Sequence, residues 1–161
     1  MHNKKEFIKI IQENNGLIYK VSKLYTDSKE DEEDLYQEIV YQLWKSFPSF
    51  RNDAKISTWM YRIALNTSIT YLNKAKRTGL HVPINEGLLN KPDATDTLYE
   101  DRLAILYAEV KQLNTIEKAI ILLYLDGKNY DEIASITGFT ATNVGTRLGR
   151  IRQKLITQIK K

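Results

Sequence analysis

The sequence predicts an all-α protein: two small helical bundles joined by a flexible linker, the C-terminal one containing a helix-turn-helix. Three observations predict this fold class. Apolar residues recur at helical spacing along most of the chain, no strand-like alternation competes with them, and glycine and proline cluster between residues 79 and 92. A length of 161 residues suits one ordinary domain or two small ones.

The first bundle is predicted over residues 1–77. Its apolar side chains lie three or four residues apart, as on the buried face of a helix. Ser28 offers an N-cap, the acidic residues after it suit the positive end of a helix dipole, and Ser57 is expected to cap the last helix. One or two helices are predicted to end near Tyr25. The next helix is predicted from Ser28 to Pro48, and the last from about Thr58 to Arg77.

Residues 78–97 are predicted to be the linker, because they contain two glycines, two prolines and little periodicity. A flexible chain of about 20 residues averages roughly 25 Å between its ends. Fully extended, it reaches about 66 Å. Such a tether would let the two bundles bind separate sites.

The second bundle is predicted over residues 98–161. An amphipathic helix over 103–113 precedes Asn114 and Glu117, which have the spacing of a capping box. The last helix is expected to bury Val144, Leu148, Ile151 and Leu155. Further helices are predicted at 115–124, 130–136 and 140–159, and the last two, separated by a glycine-containing turn, have the spacing of a helix-turn-helix.

Charge is segregated along the chain, although the net charge is only +4. Residues 39–77 contain seven basic residues and one acidic residue, and residues 128–161 contain seven and two. Residues 28–38 contain six acidic residues and one basic residue. Two basic blocks indicate two contacts with a polyanion, whereas either block alone fits a solvated lysine-rich surface equally well.

Several classes of protein are disfavoured by composition. No stretch approaches the roughly 18 unbroken apolar residues of a membrane span and no secretory signal is apparent, so we expect a cytoplasmic protein without membrane insertion. Cysteine is absent and the two histidines are far apart in sequence, so we expect no metal or other cofactor. We expect no enzyme, because the carboxylates beside the linker suggest solvated charge: Asp93, Asp96, Glu100 and Asp101.

Polar residues of the last predicted helix are candidates for contacts with duplex DNA. They remain on or near exposed faces once the apolar stripe is buried, and they can bond phosphates and base edges. An ordinary helical hairpin with a cationic flank is the alternative. The candidates are Thr140, Thr142, Asn143, Thr146, Arg147 and Arg150.

The segment from residue 47 to 62, with the helix after it, mixes aromatic, short polar and basic side chains. An unpaired nucleotide needs aromatic surface for stacking, polar groups for its base edge and cations for its phosphates. The alternative is that Trp59 and Phe47 are simply core. The candidates are Phe50, Arg51, Asn52, Asp53, Lys55, Thr58, Trp59, Tyr61, Arg62 and Asn66.

Asp34, Gln37 and Glu38 lie on adjacent turns of the predicted acidic helix. An acidic patch repels DNA and suits a basic protein partner. The alternative, a solvated helix start that compensates the dipole, accounts less well for Gln37.

Residues 33–38, 43–44 and 50–64, with the terminal helix-turn-helix, resemble in order and spacing the extracytoplasmic-function sigma factors of bacterial RNA polymerase. The resemblance implies that Asp34 and Gln37, with Glu38 beside them, engage core polymerase at the clamp coiled coil of its largest subunit. It implies that the loop 50–56 and the helix after it recognise and open the minus-ten element of promoter DNA. The last helix would read the minus-thirty-five element, and an anti-sigma factor is a further expected partner.

Gly145 and Gly149 depart from the pattern of this family, whose members often carry a long basic and a bulky side chain there. They lie four residues apart on one helix face, and each costs about 1 kcal/mol of helix stability relative to alanine. Either the backbone approaches DNA unusually closely, or base reading shifts to neighbouring side chains: Asn143, Thr146, Arg147 and Arg150.

Two other functions remain open from the sequence. A sigma-like mimic would bind only a regulatory protein, which leaves the basic last helix without a role. A free-standing helix-turn-helix repressor would leave the acidic surface and the segment 50–62 unexplained, and it usually needs a dimer.

Overall fold

The computed structural model describes residues 4–52, 54–78 and 98–159, and these residues form eight α-helices, which confirms the all-α class. The chain divides into two compact units near residue 88. In the N-terminal unit the helices are α1 (Lys4–Glu13), α2 (Asn15–Leu24), α3 (Lys29–Ser46) and α4 (Ile56–Thr78), with a 3-10 turn at Phe47–Ser49. In the C-terminal unit they are α5 (Leu98–Lys111), α6 (Thr115–Leu125), α7 (Tyr130–Thr137) and α8 (Ala141–Ile159).

The predicted linker lies outside the described residues, except that its first residue, Thr78, ends α4. Its length and its role therefore stay predictions. Among the described helices, none is long and apolar enough to cross a membrane.

In the N-terminal unit, α2, α3 and α4 pack against one another. Aromatic rings extend this core toward α1 and the 3-10 turn. Phe7 lies 5.0 Å from Trp44 and 5.4 Å from Phe47 between ring centroids, and Trp59 lies 6.1 Å from Phe47 and 4.8 Å from Phe50. We call these five residues the aromatic cluster; it joins three helices and the turn, and only Trp44 in it is exposed.

In the C-terminal unit, α8 packs against α5, α6 and α7. The predicted apolar stripe of α8 is buried as expected, at Val144, Leu148, Ile151 and Leu155. The amphipathic pattern predicted over 103–113 is only partly observed. Leu103 and Tyr107 are exposed, and of the predicted apolar positions only Val110 and Leu113 are buried, because α5 is enclosed only toward its C-terminal end.

The helix ends follow local hydrogen bonding. Ser28 accepts a hydrogen bond from the Asp31 N–H, as predicted, and Asn114 with Glu117 forms the predicted capping box. A second capping box, Asn129 with Glu132, starts α7. The prediction for Ser57 was wrong: α4 begins at Ile56, so Ser57 lies inside its first turn instead of capping it.

Candidate protein and nucleic-acid interfaces

An open groove of about 1090 Å³ lies between α3 and α4. Asp34, Gln37 and Glu38, predicted from sequence to bind a protein partner, all line it and all are exposed. They follow one another on α3 at helical spacing, and the Glu38 carboxylate accepts a hydrogen bond of 3.0 Å from Gln42 Nε2. The structure therefore brings the three predicted residues together on one wall.

The opposite wall of this groove belongs to α4; the sequence interpretation assigned Asn66 of this wall to the minus-ten element and did not predict that α4 faces the acidic residues of α3. Asn66, Thr70 and Lys74 line it at steps of four residues, and Tyr71 lies beside them. Burial raises the pKa of Tyr71, and the nearby charges of Asp31 and Asp34 raise it further. The negative charges of the α3 carboxylates thus affect a phenol group on the opposite wall of the groove. The four-residue spacing on α4 was the available signal for this wall.

The residues predicted to bind single-stranded DNA divide by burial. Arg51, Asn52 and Lys55 are exposed in the loop before α4. Asn52 has φ of 59°, a left-handed conformation that asparagine tolerates better than most residues. Arg62 is half-buried and Asn66 is exposed, whereas Asp53 lies outside the described residues.

Four predicted contact residues are instead buried: Phe50, Thr58, Trp59 and Tyr61. Trp59 packs between Phe47 and Phe50, and Tyr61 has no exposed surface. Large rings at the start of α4 gain more from burial than from exposure to water. In the described conformation Phe50 and Trp59 pack against each other, and none of the four side chains is exposed for contact with DNA, contrary to the expectation of direct contact.

The turn between α7 and α8 is fixed by its glycine. Gly138 adopts φ of 88° and its N–H donates to the Ala134 carbonyl at 2.8 Å, which ends α7. Thr140 then caps α8, because its hydroxyl oxygen accepts from the Asn143 N–H at 3.1 Å. Thr140 is thus both a predicted DNA contact and the N-cap. It is exposed, and so are Thr142, Asn143, Thr146 and Arg150, while Arg147 is half-buried.

Two of the basic residues of α8, Arg152 and Lys154, contact another helix of the unit. Arg152 stacks 4.4 Å from the ring centroid of Tyr124 and donates a hydrogen bond to its hydroxyl, and Lys154 pairs with Glu117 at 3.2 Å. Both partners belong to α6. Neither Arg152 nor Lys154 was a predicted DNA contact, and their contacts with α6 distinguish them from the predicted Arg147 and Arg150.

The two unusual glycines of α8 have different surroundings. A Cβ atom on Gly145 would lie 3.2 Å from Cε2 of Tyr130, the first residue of α7, so this glycine leaves room for that ring. A Cβ atom on Gly149 would meet nothing within 4 Å. Packing inside the unit therefore accounts for Gly145 but not for Gly149.

Comparisons with known proteins find matches in both units of the chain. The Sigma-70 region 2 family model matches residues 10–78, and the Sigma-70, region 4 model matches residues 103–155. RNA polymerase sigma factor SigV of Bacillus subtilis is 28% identical over 144 residues, which cover 89% of this chain and 84% of that protein. The ECF RNA polymerase sigma-E factor of Haemophilus influenzae is 30% identical over 149 residues, covering 82% and 76%.

Solved structures share the fold. The sigma factor RpoE of Bartonella quintana, in complex with the anti-sigma factor NepR, aligns with a TM-score of 0.79 at 19% identity and covers 97% of this chain and 98% of that one. CnrH, in complex with the cytosolic domain of CnrY, aligns with a TM-score of 0.69, covering 98% and 90%. The chain belongs to the extracytoplasmic-function sigma factors and is an RNA polymerase sigma factor of promoter-specific transcription initiation.

Proposed function

We propose that the two units divide the work of this sigma factor. The groove between α3 and α4 binds core RNA polymerase, and the exposed polar residues of α8 bind the minus-thirty-five element. The observation that carries this proposal is the convergence of Asp34, Gln37 and Glu38 on one wall of an acidic groove. Such a groove repels phosphates and attracts a basic protein surface.

The loop before α4 is the proposed contact for the minus-ten element. Arg51, Asn52 and Lys55 are exposed there and supply cations and amide groups to an unpaired strand. Arg62 continues this surface along α4, whereas Asn66, also predicted from sequence as a minus-ten contact, lines the groove between α3 and α4. Phe50 and Trp59 take a supporting role, since their stacked rings fix the loop against α4.

The chain acts by binding, without catalytic activity of its own, and it works in the cytoplasm where core polymerase is found. An anti-sigma factor is a further proposed partner. Support comes from RpoE and CnrH, since the RpoE structure contains an anti-sigma factor and the CnrH structure contains a partner domain.

The polymerase assignment is tested by titrating core enzyme with the full chain. We expect Asp34→Ala and Gln37→Ala to weaken binding roughly tenfold, about 1.4 kcal/mol, with unchanged unfolding, because both side chains are exposed. Glu33→Ala is the matched control: it removes an exposed carboxylate of α3 that does not line the groove. Equal effects of Asp34→Ala and Glu33→Ala would contradict the assignment.

The DNA assignment is tested with polymerase holoenzyme on a promoter fragment found by mapping transcript starts. Arg150→Ala should cost about 1–3 kcal/mol of promoter affinity if Arg150 contacts a base edge. Lys154→Ala is the control, because it removes an equal charge from α8 at a residue that pairs with Glu117 of α6. A larger loss from Lys154→Ala than from Arg150→Ala would contradict the assignment.

A further inference from the structure

Arg147 is held on two sides. Its Nε donates a hydrogen bond of 2.7 Å to Asn143 Oδ1, one helical turn earlier on α8. Its guanidinium carbon lies 4.3 Å from the ring centroid of Phe139, within the range of a cation–π contact. Nε and one face of the guanidinium are therefore occupied, and the two terminal nitrogens remain as donors that these two contacts do not use.

Phe139 reaches this position through the preceding turn. Gly138 in its left-handed conformation ends α7, and the Phe139 N–H donates to the Thr137 hydroxyl oxygen at 3.4 Å. Thr137 itself donates to the Ile133 carbonyl at 2.7 Å. The ring is thus attached to the end of α7, while the arginine that it contacts belongs to α8.

A restrained arginine binds differently from a mobile one. An unrestrained side chain of this length loses conformational freedom when it binds, whereas a side chain already held in place loses less. The terminal nitrogens of a guanidinium can grip a phosphate or a guanine edge with two hydrogen bonds. Neighbouring positions Gly145 and Gly149 have no side chains to share this task.

We infer that Phe139 is a positioning residue for promoter recognition: together with Asn143 it holds Arg147 as a pre-ordered donor for duplex DNA. This inference rests on the proposed use of α8 to bind the minus-thirty-five element. Phe139 needs no contact with DNA in this scheme. Its contribution is made through Arg147, so the two residues must be energetically coupled.

A double-mutant cycle tests this coupling, with the full chain assembled on core polymerase and the promoter fragment identified by transcript mapping. Phe139→Leu keeps apolar volume and removes the aromatic face, and we expect it to weaken promoter binding roughly three- to tenfold. In an Arg147→Ala background the same change should have no further effect. Phe139→Tyr keeps the ring and should retain wild-type binding.

The outcomes separate the inference from the function on which it rests. Unchanged promoter binding by Arg147→Ala would overturn the proposed DNA contact of Arg147. A weakened Arg147→Ala with an unchanged Phe139→Leu would overturn the positioning role alone. An equal loss from Phe139→Leu with and without Arg147 would also overturn it, because the ring would then act on the fold. Phe139→Met provides a second ring-free variant if Phe139→Leu unfolds.

Discussion

The two units of this sigma factor are built from different kinds of core. The N-terminal unit buries aromatic rings, including Phe47, Phe50, Trp59 and Tyr61, beside its aliphatic residues. In the described part of the C-terminal unit, every buried apolar side chain is aliphatic. Aromatic residues therefore serve as core in one unit, while in the other Tyr124, Tyr130 and Phe139 lie at or near the surface and contact α8.

This difference separates two ways of building a DNA-binding surface. In the C-terminal unit the core stripe and the polar residues occupy different faces of α8, so either can change without the other. In the N-terminal unit the loop proposed to contact DNA rests directly on Phe50 and Trp59. Stability and promoter opening should consequently be coupled there more strongly than in the C-terminal unit.

The largest expected effect comes from breaking the aromatic cluster. Trp59→Ala should lower the free energy of unfolding of the N-terminal unit by about 3–5 kcal/mol, because a large buried side chain leaves a cavity between Phe47 and Phe50. Urea unfolding followed by the fluorescence of Trp44 measures this, since both tryptophans belong to the N-terminal unit.

Trp44→Ala is the matched control for that experiment, followed by the fluorescence of Trp59. Trp44 contacts Phe7 at 5.0 Å but is 45% exposed, so its loss should cost clearly less than that of Trp59. Equal losses from the two substitutions would show that Trp59 is not a core residue and would restore it as a candidate for base stacking.

A smaller effect is expected at the start of α7. Asn129→Ala removes the side-chain acceptor of the Glu132 N–H and should cost about 1 kcal/mol. Asn129→Ser keeps a capping oxygen and should remain close to wild type. Thermal unfolding followed by circular dichroism measures both variants, and identical losses would mean that the cap does not stabilise this helix.

Substitution of the two glycines of α8 is expected to increase stability, unlike the substitutions above. Gly149→Ala should stabilise the C-terminal unit by about 0.5–1 kcal/mol, because the new methyl group meets no atom within 4 Å and the helix gains propensity. Gly145→Ala should gain less, since its methyl group would press on the Tyr130 ring at 3.2 Å. A larger gain in stability from Gly145→Ala than from Gly149→Ala would contradict this, because it would mean that the Tyr130 ring moves aside at little cost.

The smallest expected effect is a loss of stability in alkali, which does not occur at neutral pH. Burial raises the pKa of Tyr25 in the folded chain, so the unfolded chain loses its phenol proton first, near pH 10. The associated stability is fully present below pH 10 and is lost as the pH rises toward the folded pKa. Tyr25→Phe should therefore make the N-terminal unit less sensitive to alkali, as measured by tryptophan fluorescence in urea. An unchanged alkaline slope would contradict this.

The C-terminal unit was the more predictable from sequence. Val144, Leu148, Ile151 and Leu155 recur at steps of four, three and four, and this spacing alone separates buried from exposed residues of α8. What it could not predict is the engagement of Arg152 and Lys154 by α6, because their partners, Tyr124 and Glu117, are 28 and 37 residues away.

In the N-terminal unit the helices and the acidic surface were predictable, but the status of the aromatic residues was not. Phe50, Thr58, Trp59 and Tyr61 combine with basic neighbours in a pattern that fits either stacked bases or a packed core. In the structure all four are buried, Phe50 and Trp59 through ring contacts, and such tertiary packing leaves no local periodic signal.

The most direct test of the division of labour is sequencing of transcript starts made by core polymerase with wild type, Asp34→Ala or Arg150→Ala, at several concentrations of sigma factor. We expect Asp34→Ala to use the wild-type starts but to need more protein. Arg150→Ala should instead lose starts selectively at saturating protein, because recognition of the minus-thirty-five element is impaired. The opposite pattern, in which Asp34→Ala changes the choice of starts and Arg150→Ala is corrected by added protein, would contradict the account.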